Sequence, residues 1–160
     1  MCSSDLAAQI PSLRDESKST GNVQMSTVSP HQAMIHIMVT MSAADRTMTD
    51  AELATIGDII RTLPFFDGYD ADDLITDSRE CSHILQETNG LGKIISNAID
   101  VLPEHLHETI YAIAVEVAAA DRKLEQEELR LLQILRDSLA VDKLVCAAIE
   151  RGARARHMAL

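Results

Sequence analysis

The sequence has few aromatic residues. Its 160 residues include two Phe, two Tyr and no Trp, although 46% of the residues are hydrophobic. The core must therefore be built from Ala, Leu, Ile, Val and Met. Because Ala and Leu are strong helix formers, this composition favours an all-helical domain with an aliphatic core.

Cysteines and long apolar runs are also scarce. There are three cysteines, Cys2, Cys81 and Cys146, none at a Cys-x-x-Cys spacing. An odd number of cysteines argues against a disulfide framework and favours a reducing, cytoplasmic location. No apolar run reaches the roughly 18 residues of a membrane span, and the N-terminus lacks the pattern of a secretory signal.

Positive charge is in short supply, since the formal net charge is −11. Such a surface repels phosphates, so neither nucleic acid nor an anionic membrane is an expected partner. An acidic surface suits cations or basic protein surfaces as partners. The other explanation of the negative charge is that it only keeps the protein soluble.

Helical periodicity and capping residues divide the chain into a tail and one domain. Residues 1–28 are rich in Ser and Thr and predict a mobile, disordered tail. Residues 29–157 predict a compact bundle of about seven helices, with no strand. The predicted helices span about 31–44, 49–63, 70–87, 91–102, 104–120, 125–139 and 142–155.

The two halves of the domain are related. Residues 36–63 align with residues 112–139 without a gap, with nine identities in 28 positions. Each unit reads as a buried helix, a short turn and an amphipathic helix. Two such units predict an internal pseudo-two-fold duplication in which each half covers the apolar face of the other.

The repeated signature is Ala-Ala-Asp-Arg-x-apolar-x-x-x-Glu, at residues 43–52 and 119–128. Its Asp falls at a predicted helix C-terminus, where an acid is unfavourable by roughly 0.3–1 kcal/mol. In a structural reading, the Asp accepts backbone N–H groups and the following Arg neutralises it, while a capping box explains Glu52. In a functional reading, each Asp–Glu pair holds a hard divalent cation such as calcium or magnesium. The candidate ligands are Asp45, Glu52, Asp121 and Glu128.

This duplicated signature in an all-helical domain resembles the TerB-like family, named for tellurite resistance. The resemblance covers about residues 30–157. It implies about seven helices with internal pseudo-symmetry, an acidic surface suspected of binding metal, and a role in resistance to tellurite and related stresses. The chain departs from the family at Arg46 and Arg122, where the family often has Gly. A fixed cation beside each carboxylate would compete with a metal.

Two Glu-x-x-His patterns offer an alternative chemistry. Glu80–His83 and Glu104–His107, with further carboxylates such as Glu116, match the ligand set of di-iron carboxylate bundles. Such ligands normally project from the middle of long helices, whereas Glu104 follows Pro103 at a helix start. A di-metal enzyme is therefore the alternative to a binding module.

Three charged features need a separate interpretation. Glu116 lies inside the most apolar predicted helix. It is either a buried carboxylate with a raised pKa or a residue that lies on a narrow solvent-exposed stripe or pairs with a basic residue. The acidic run at residues 67–77 fails the calcium-loop pattern, and the charge preference of helix N-termini explains it. The basic C-terminus suits a helix end, and contact with an anion or a lipid headgroup is the other reading of Arg151, Arg154, Arg156 and His157.

No catalytic constellation stands out, since the sequence has neither a Gly-rich phosphate loop nor a recognisable Ser-His-Asp or Cys-His arrangement. The function predicted is a cytoplasmic TerB-like binding module for metal or chemical stress, and not an enzyme. Its acidic surface would engage a divalent cation or a protein partner, for example a membrane-associated stress complex. A ligand-free interaction scaffold is the third hypothesis.

Overall fold

The structure, a computed structural model, describes residues 28–43, 48–120 and 125–160. These residues form seven α-helices joined by turns and short 3-10 segments, and they contain no strand. The predicted all-α fold is therefore confirmed. The predicted tail, apart from Val28, lies outside the described residues. The helices are α1 (Pro30–Ser42), α2 (Asp50–Thr62), α3 (Leu74–Gln86), α4 (Gly90–Val101), α5 (His107–Ala120), α6 (Gln126–Leu139) and α7 (Lys143–Arg156).

Two helices form the centre of the fold. Every residue of α1 from Ala33 to Met41 is buried, and α5 is buried on most of its faces. The helix α1 packs against α3, α4 and α5, while α5 also packs against α6 and α7. A helix that is apolar nearly all round must be enclosed in this way.

Local capping signals set most helix starts. The side chain of Ser29, which directly precedes Pro30, accepts a hydrogen bond from the backbone N–H of Gln32. The Asp142 carboxylate caps α7. Asp70 caps a 3-10 turn, Ala71–Asp73, that leads directly into α3. The predicted α3 therefore began too early, because its first turn is wound more tightly than an α-helix.

The junction between α3 and α4 differs from the prediction in one detail. The helix predicted from about residue 91 begins at Gly90, directly after Asn89, which adopts the left-handed conformation with φ of 59°. A Cβ atom at position 90 would lie 2.0 Å from the carbonyl oxygen of Ile84. Glycine is needed here for close approach of the backbone and not for a positive φ.

The helices repeat in the two halves. The starts of α2 and α6 differ by the same 76 positions as the aligned segments, and the bounds of α1 and α5 correspond within two residues. The two central helices, α1 and α5, pack against each other. In each half the third helix packs on the central helix, α3 on α1 and α7 on α5. The predicted duplication is thus seen in helix bounds and packing. Among the described residues, no helix is long and apolar enough to cross a membrane.

Candidate functional site

The two acidic corners lie between α1 and α2 and between α5 and α6. Asp45, Arg46, Asp121 and Arg122 lie outside the described residues, so the geometry available is that of the flanking helices. The structure places the other two predicted ligands, Glu52 and Glu128, in the first turn of the helix that follows each corner.

Glu52 and Glu128 bind the backbone in the same way. An Oε2 atom of Glu52 accepts the backbone N–H of Thr49 at 2.5 Å, and the Thr49 hydroxyl accepts the backbone N–H of Glu52 at 3.3 Å. An Oε2 atom of Glu128 accepts the backbone N–H of Glu125 at 2.8 Å. The capping box predicted at Glu52 is confirmed, and each carboxylate has one oxygen held in a fixed direction.

The helices that lead into the corners end without a basic residue. Neither α1 nor α5 has Lys, Arg or His in its last turn, whereas α2, α6 and α7 do. The C-terminus of a helix carries partial negative charge. Each corner therefore joins a negative helix end to a helix whose first turn carries acidic side chains.

Glu116 is the partner of two basic groups. Its carboxylate accepts hydrogen bonds from Arg156 and, at 2.8 Å, from the ring of His157. Burial alone would raise the pKa of Glu116, but the hydrogen bonds and charges of these partners lower it overall. Glu116 thus ties α5 to the end of α7, and a raised pKa, one of the two readings from the sequence, is wrong.

The two Glu-x-x-His pairs do not meet. His107 is held by α6, since its Nδ1 lies 3.1 Å from the carbonyl oxygen of Leu139, and His83 and Glu104 are exposed. Within residues 28–43, 48–120 and 125–160, no three His, Cys, Asp or Glu side chains are grouped as metal ligands. Two pairs sharing one centre would form such a group, so these residues carry no di-metal site here.

One pair of equivalent histidines was not singled out from the sequence. His31 on α1 places Nε2 3.0 Å from the carbonyl oxygen of Phe65, and His107 on α5 places Nδ1 3.1 Å from that of Leu139. A carbonyl oxygen only accepts, so the ring nitrogen must donate in both contacts. Extending the internal alignment upstream to the two histidines, which are also 76 positions apart, would have revealed them.

A buried polar cluster lies between α1 and α3. His36 is fully buried, and neither of its ring nitrogens has a side-chain or backbone hydrogen-bond partner in the part of the chain that the structure describes. Burial lowers the pKa of His36, although Glu80 and Asp77 on α3 act in the opposite direction. Burial also raises the pKa of the adjacent Cys81 thiol to about 12, so this thiol is not an activated nucleophile.

The acidic run after α2 serves local structure. Asp70 caps the turn that follows it. Asp77 is buried and accepts hydrogen bonds from the Tyr69 hydroxyl at 2.7 Å and the Gln32 amide at 3.0 Å. These bonds join the start of α1 to α3.

Comparison with known families gives one match. The family model described as tellurite resistance protein TerB matches residues 31–151. This range runs from the first turn of α1 into α7 and includes both acidic corners. No curated protein and no solved structure matches the chain significantly.

Proposed function

Because the chain belongs to the TerB family of tellurite resistance proteins, we propose that it is a cytoplasmic binding module for the response to tellurite and related chemical stress. It acts by binding a divalent cation, calcium or magnesium, at the two acidic corners. The ligands are Asp45 and Glu52 at one corner and Asp121 and Glu128 at the other.

The observation that carries this proposal is the equivalent placement of Glu52 and Glu128. Both carboxylates follow a helix that ends without a basic residue, and both are oriented by a backbone N–H. Hard cations prefer carboxylate and carbonyl oxygens, and both kinds of oxygen occur at such a corner. Outer hydrogen bonds that orient a ligand are usual in metal sites.

The test of cation binding is a titration of the full chain with calcium, magnesium or zinc while its melting temperature is followed. A metal that binds only the folded state raises stability by mass action. We expect a rise that saturates at millimolar metal or below and that is lost in the Asp45→Asn/Asp121→Asn double variant. The matched control is Asp67→Asn/Asp100→Asn, which removes two exposed carboxylates elsewhere and should retain the rise.

The stress role needs a cellular test. Cells that depend on this chain should grow on tellurite medium with the natural sequence and fail with Asp45→Asn/Asp121→Asn at equal protein level. Equal growth of cells with the natural sequence and with the double variant would show that the acidic corners are not needed for tellurite resistance. A partner protein recovered equally well with and without a chelator would instead favour a scaffold that needs no cation.

A further inference from the structure

A groove of about 870 Å³ lies between α5, α6 and α7, far along the sequence from the first acidic corner. Sites for small organic molecules have volumes of about 300–1,000 Å³ and mostly apolar walls. The walls of this groove, which we name the α7 groove, come from all three helices and the C-terminal residues. They include Tyr111, Val115, Ala118, Leu129, Leu132 and Met158.

Two large apolar side chains of the α7 groove are open to solvent. Leu129 is 53% exposed and Met158 is 71% exposed, while Leu132 and Tyr111 form a buried floor. Grouped exposed apolar side chains of this kind mark binding sites more often than isolated ones do. A ligand with an apolar body would remove Leu129 and Met158 from water.

The same groove gathers positive charge in a chain whose net charge is −11. Arg136, Arg151 and Arg154 line it. Within the described part of the chain, Arg151 and Arg154 have no carboxylate partner, and the partner of Arg136 is Asp137, at 3.4 Å and 65% exposed. Among the described lining residues the one carboxylate is Glu150, which accepts a hydrogen bond from the Tyr111 hydroxyl at 2.6 Å.

A second groove has more acidic than basic lining residues. It has a volume of about 610 Å³ and is lined by residues of α2, α5 and α7, among them Glu108 and Glu116. Its one arginine, Arg156, is bound to Glu116. Of these two grooves, the α7 groove is therefore the one whose charge favours an anion.

We propose that the α7 groove binds a small amphipathic anion, namely a medium- or long-chain carboxylate. The carboxylate contacts Arg151 and Arg154, and the alkyl chain covers Val115, Leu129 and Leu132. Arginine binds carboxylates through two parallel hydrogen bonds. The groove borders the second acidic corner, since Ala119 and Leu129 line it. Its proposed ligand contacts Arg151 and Arg154 of α7 and not the corner carboxylates, so different variants test the two proposals.

The test is calorimetric titration of the full chain with decanoate below its micelle concentration. We expect saturable binding of one decanoate per chain, about tenfold weaker in the Arg151→Gln/Arg154→Gln variant, since exposed charge pairs each contribute modestly. The uncharged analogue decanol should bind both proteins equally. The matched control, Arg79→Gln/Arg130→Gln, removes two exposed arginines outside the groove and should bind decanoate normally.

Two tryptophan variants test whether decanoate binds in the α7 groove. Ala147→Trp places a large side chain in the groove and should abolish binding, whereas Ala148→Trp, at the next exposed position outside the groove, should not. Three results would overturn the proposal: no saturable binding of decanoate, equal affinity in Arg151→Gln/Arg154→Gln, or binding only of an acidic amphipathic peptide. The last result would identify the groove as a docking site for a partner helix.

Discussion

The carboxylate of Glu52 lies 2.5 Å from the backbone nitrogen of Thr49 and accepts its hydrogen bond. This contact fixes the start of α2, and the same arrangement recurs at Glu128 in α6. One side chain therefore has both a structural role that the structure shows and the cation-binding role proposed above. Substitution by glutamine can distinguish the two roles, because glutamine can also complete a capping box but carries no charge.

The capping role predicts unequal costs for two substitutions of Glu52. Glu52→Ala removes both the contact to Thr49 and the charge at the helix start, and should lower the free energy of unfolding by about 1–2 kcal/mol. Glu52→Gln keeps the hydrogen bond and loses only the favourable charge at the helix start, about 0.3–1 kcal/mol. Urea denaturation in the absence of metal measures both, and equal losses would show that the contact to Thr49 does not stabilise α2.

Ala140 predicts a stabilising substitution. It ends α6 in the left-handed conformation, with φ of 53°, and the N–H of Val141 returns to the carbonyl of Arg136. Glycine is the residue suited to this position, so Ala140→Gly should raise the free energy of unfolding by about 0.5–1 kcal/mol. Ala148→Gly, inside α7, should lower it by about the same amount. A loss at position 140 would contradict the left-handed cap.

His36 predicts a loss of stability on mild acidification. Because the pKa of His36 is lowered on folding, the unfolded chain binds the proton more tightly than the folded chain. The free energy of unfolding should therefore fall as the pH drops below about 6.5, the ordinary pKa of histidine. His36→Leu removes two ring nitrogens that have no hydrogen-bond partner among the described residues and should stabilise the protein by about 1 kcal/mol at pH 7. It should also flatten this pH dependence.

The control for His36 is His105→Gln, which removes an exposed histidine. This variant should retain the dependence on pH, because His36 is still present. A His36→Leu protein that keeps the full dependence between pH 6.5 and 5 would show that another group causes it.

Glu116 predicts a second, more acidic transition. The pKa of Glu116 is lowered on folding, so its contribution is complete above pH 4.5, near the ordinary pKa, and disappears as the pH falls through the lower value in the folded state. Since Arg156 is 61% exposed, the contribution should be at most about 1 kcal/mol. Urea titrations of Glu116→Gln from pH 7 to 3 should lose this component, whereas Glu108→Gln, an exposed acid on the same helix, should keep it.

The helix order was predictable from sequence because its signals are local. Ser29 and Pro30 start α1, Thr49 with Glu52 starts α2, and the apolar faces recur at helical spacing, so nearby residues decide these bounds. The repeat was also visible, since the second half keeps Asp121, Arg122 and Glu128.

Features that depend on tertiary packing were not predictable in this way. The need for Gly90 arises from the approach of Ile84, which belongs to the preceding helix. The α7 groove exists only because α7 packs on α5, and the sequence showed the arginines at the C-terminus without their apolar neighbours. For Glu116, the residue pattern left two readings open, and the position of Arg156 and His157 in the fold decides between them.

The most direct test of the cation-binding claim uses Glu52→Gln/Glu128→Gln, which keeps both helix caps and removes two proposed ligands. We predict that calcium or magnesium at about 100 times the dissociation constant stabilises the natural chain by about 2.7 kcal/mol for each corner that it occupies. The double variant should show little of this increase while its stability without metal stays within about 2 kcal/mol of the natural chain. An equal increase in both proteins, or none in the natural chain, would contradict cation binding at the two corners.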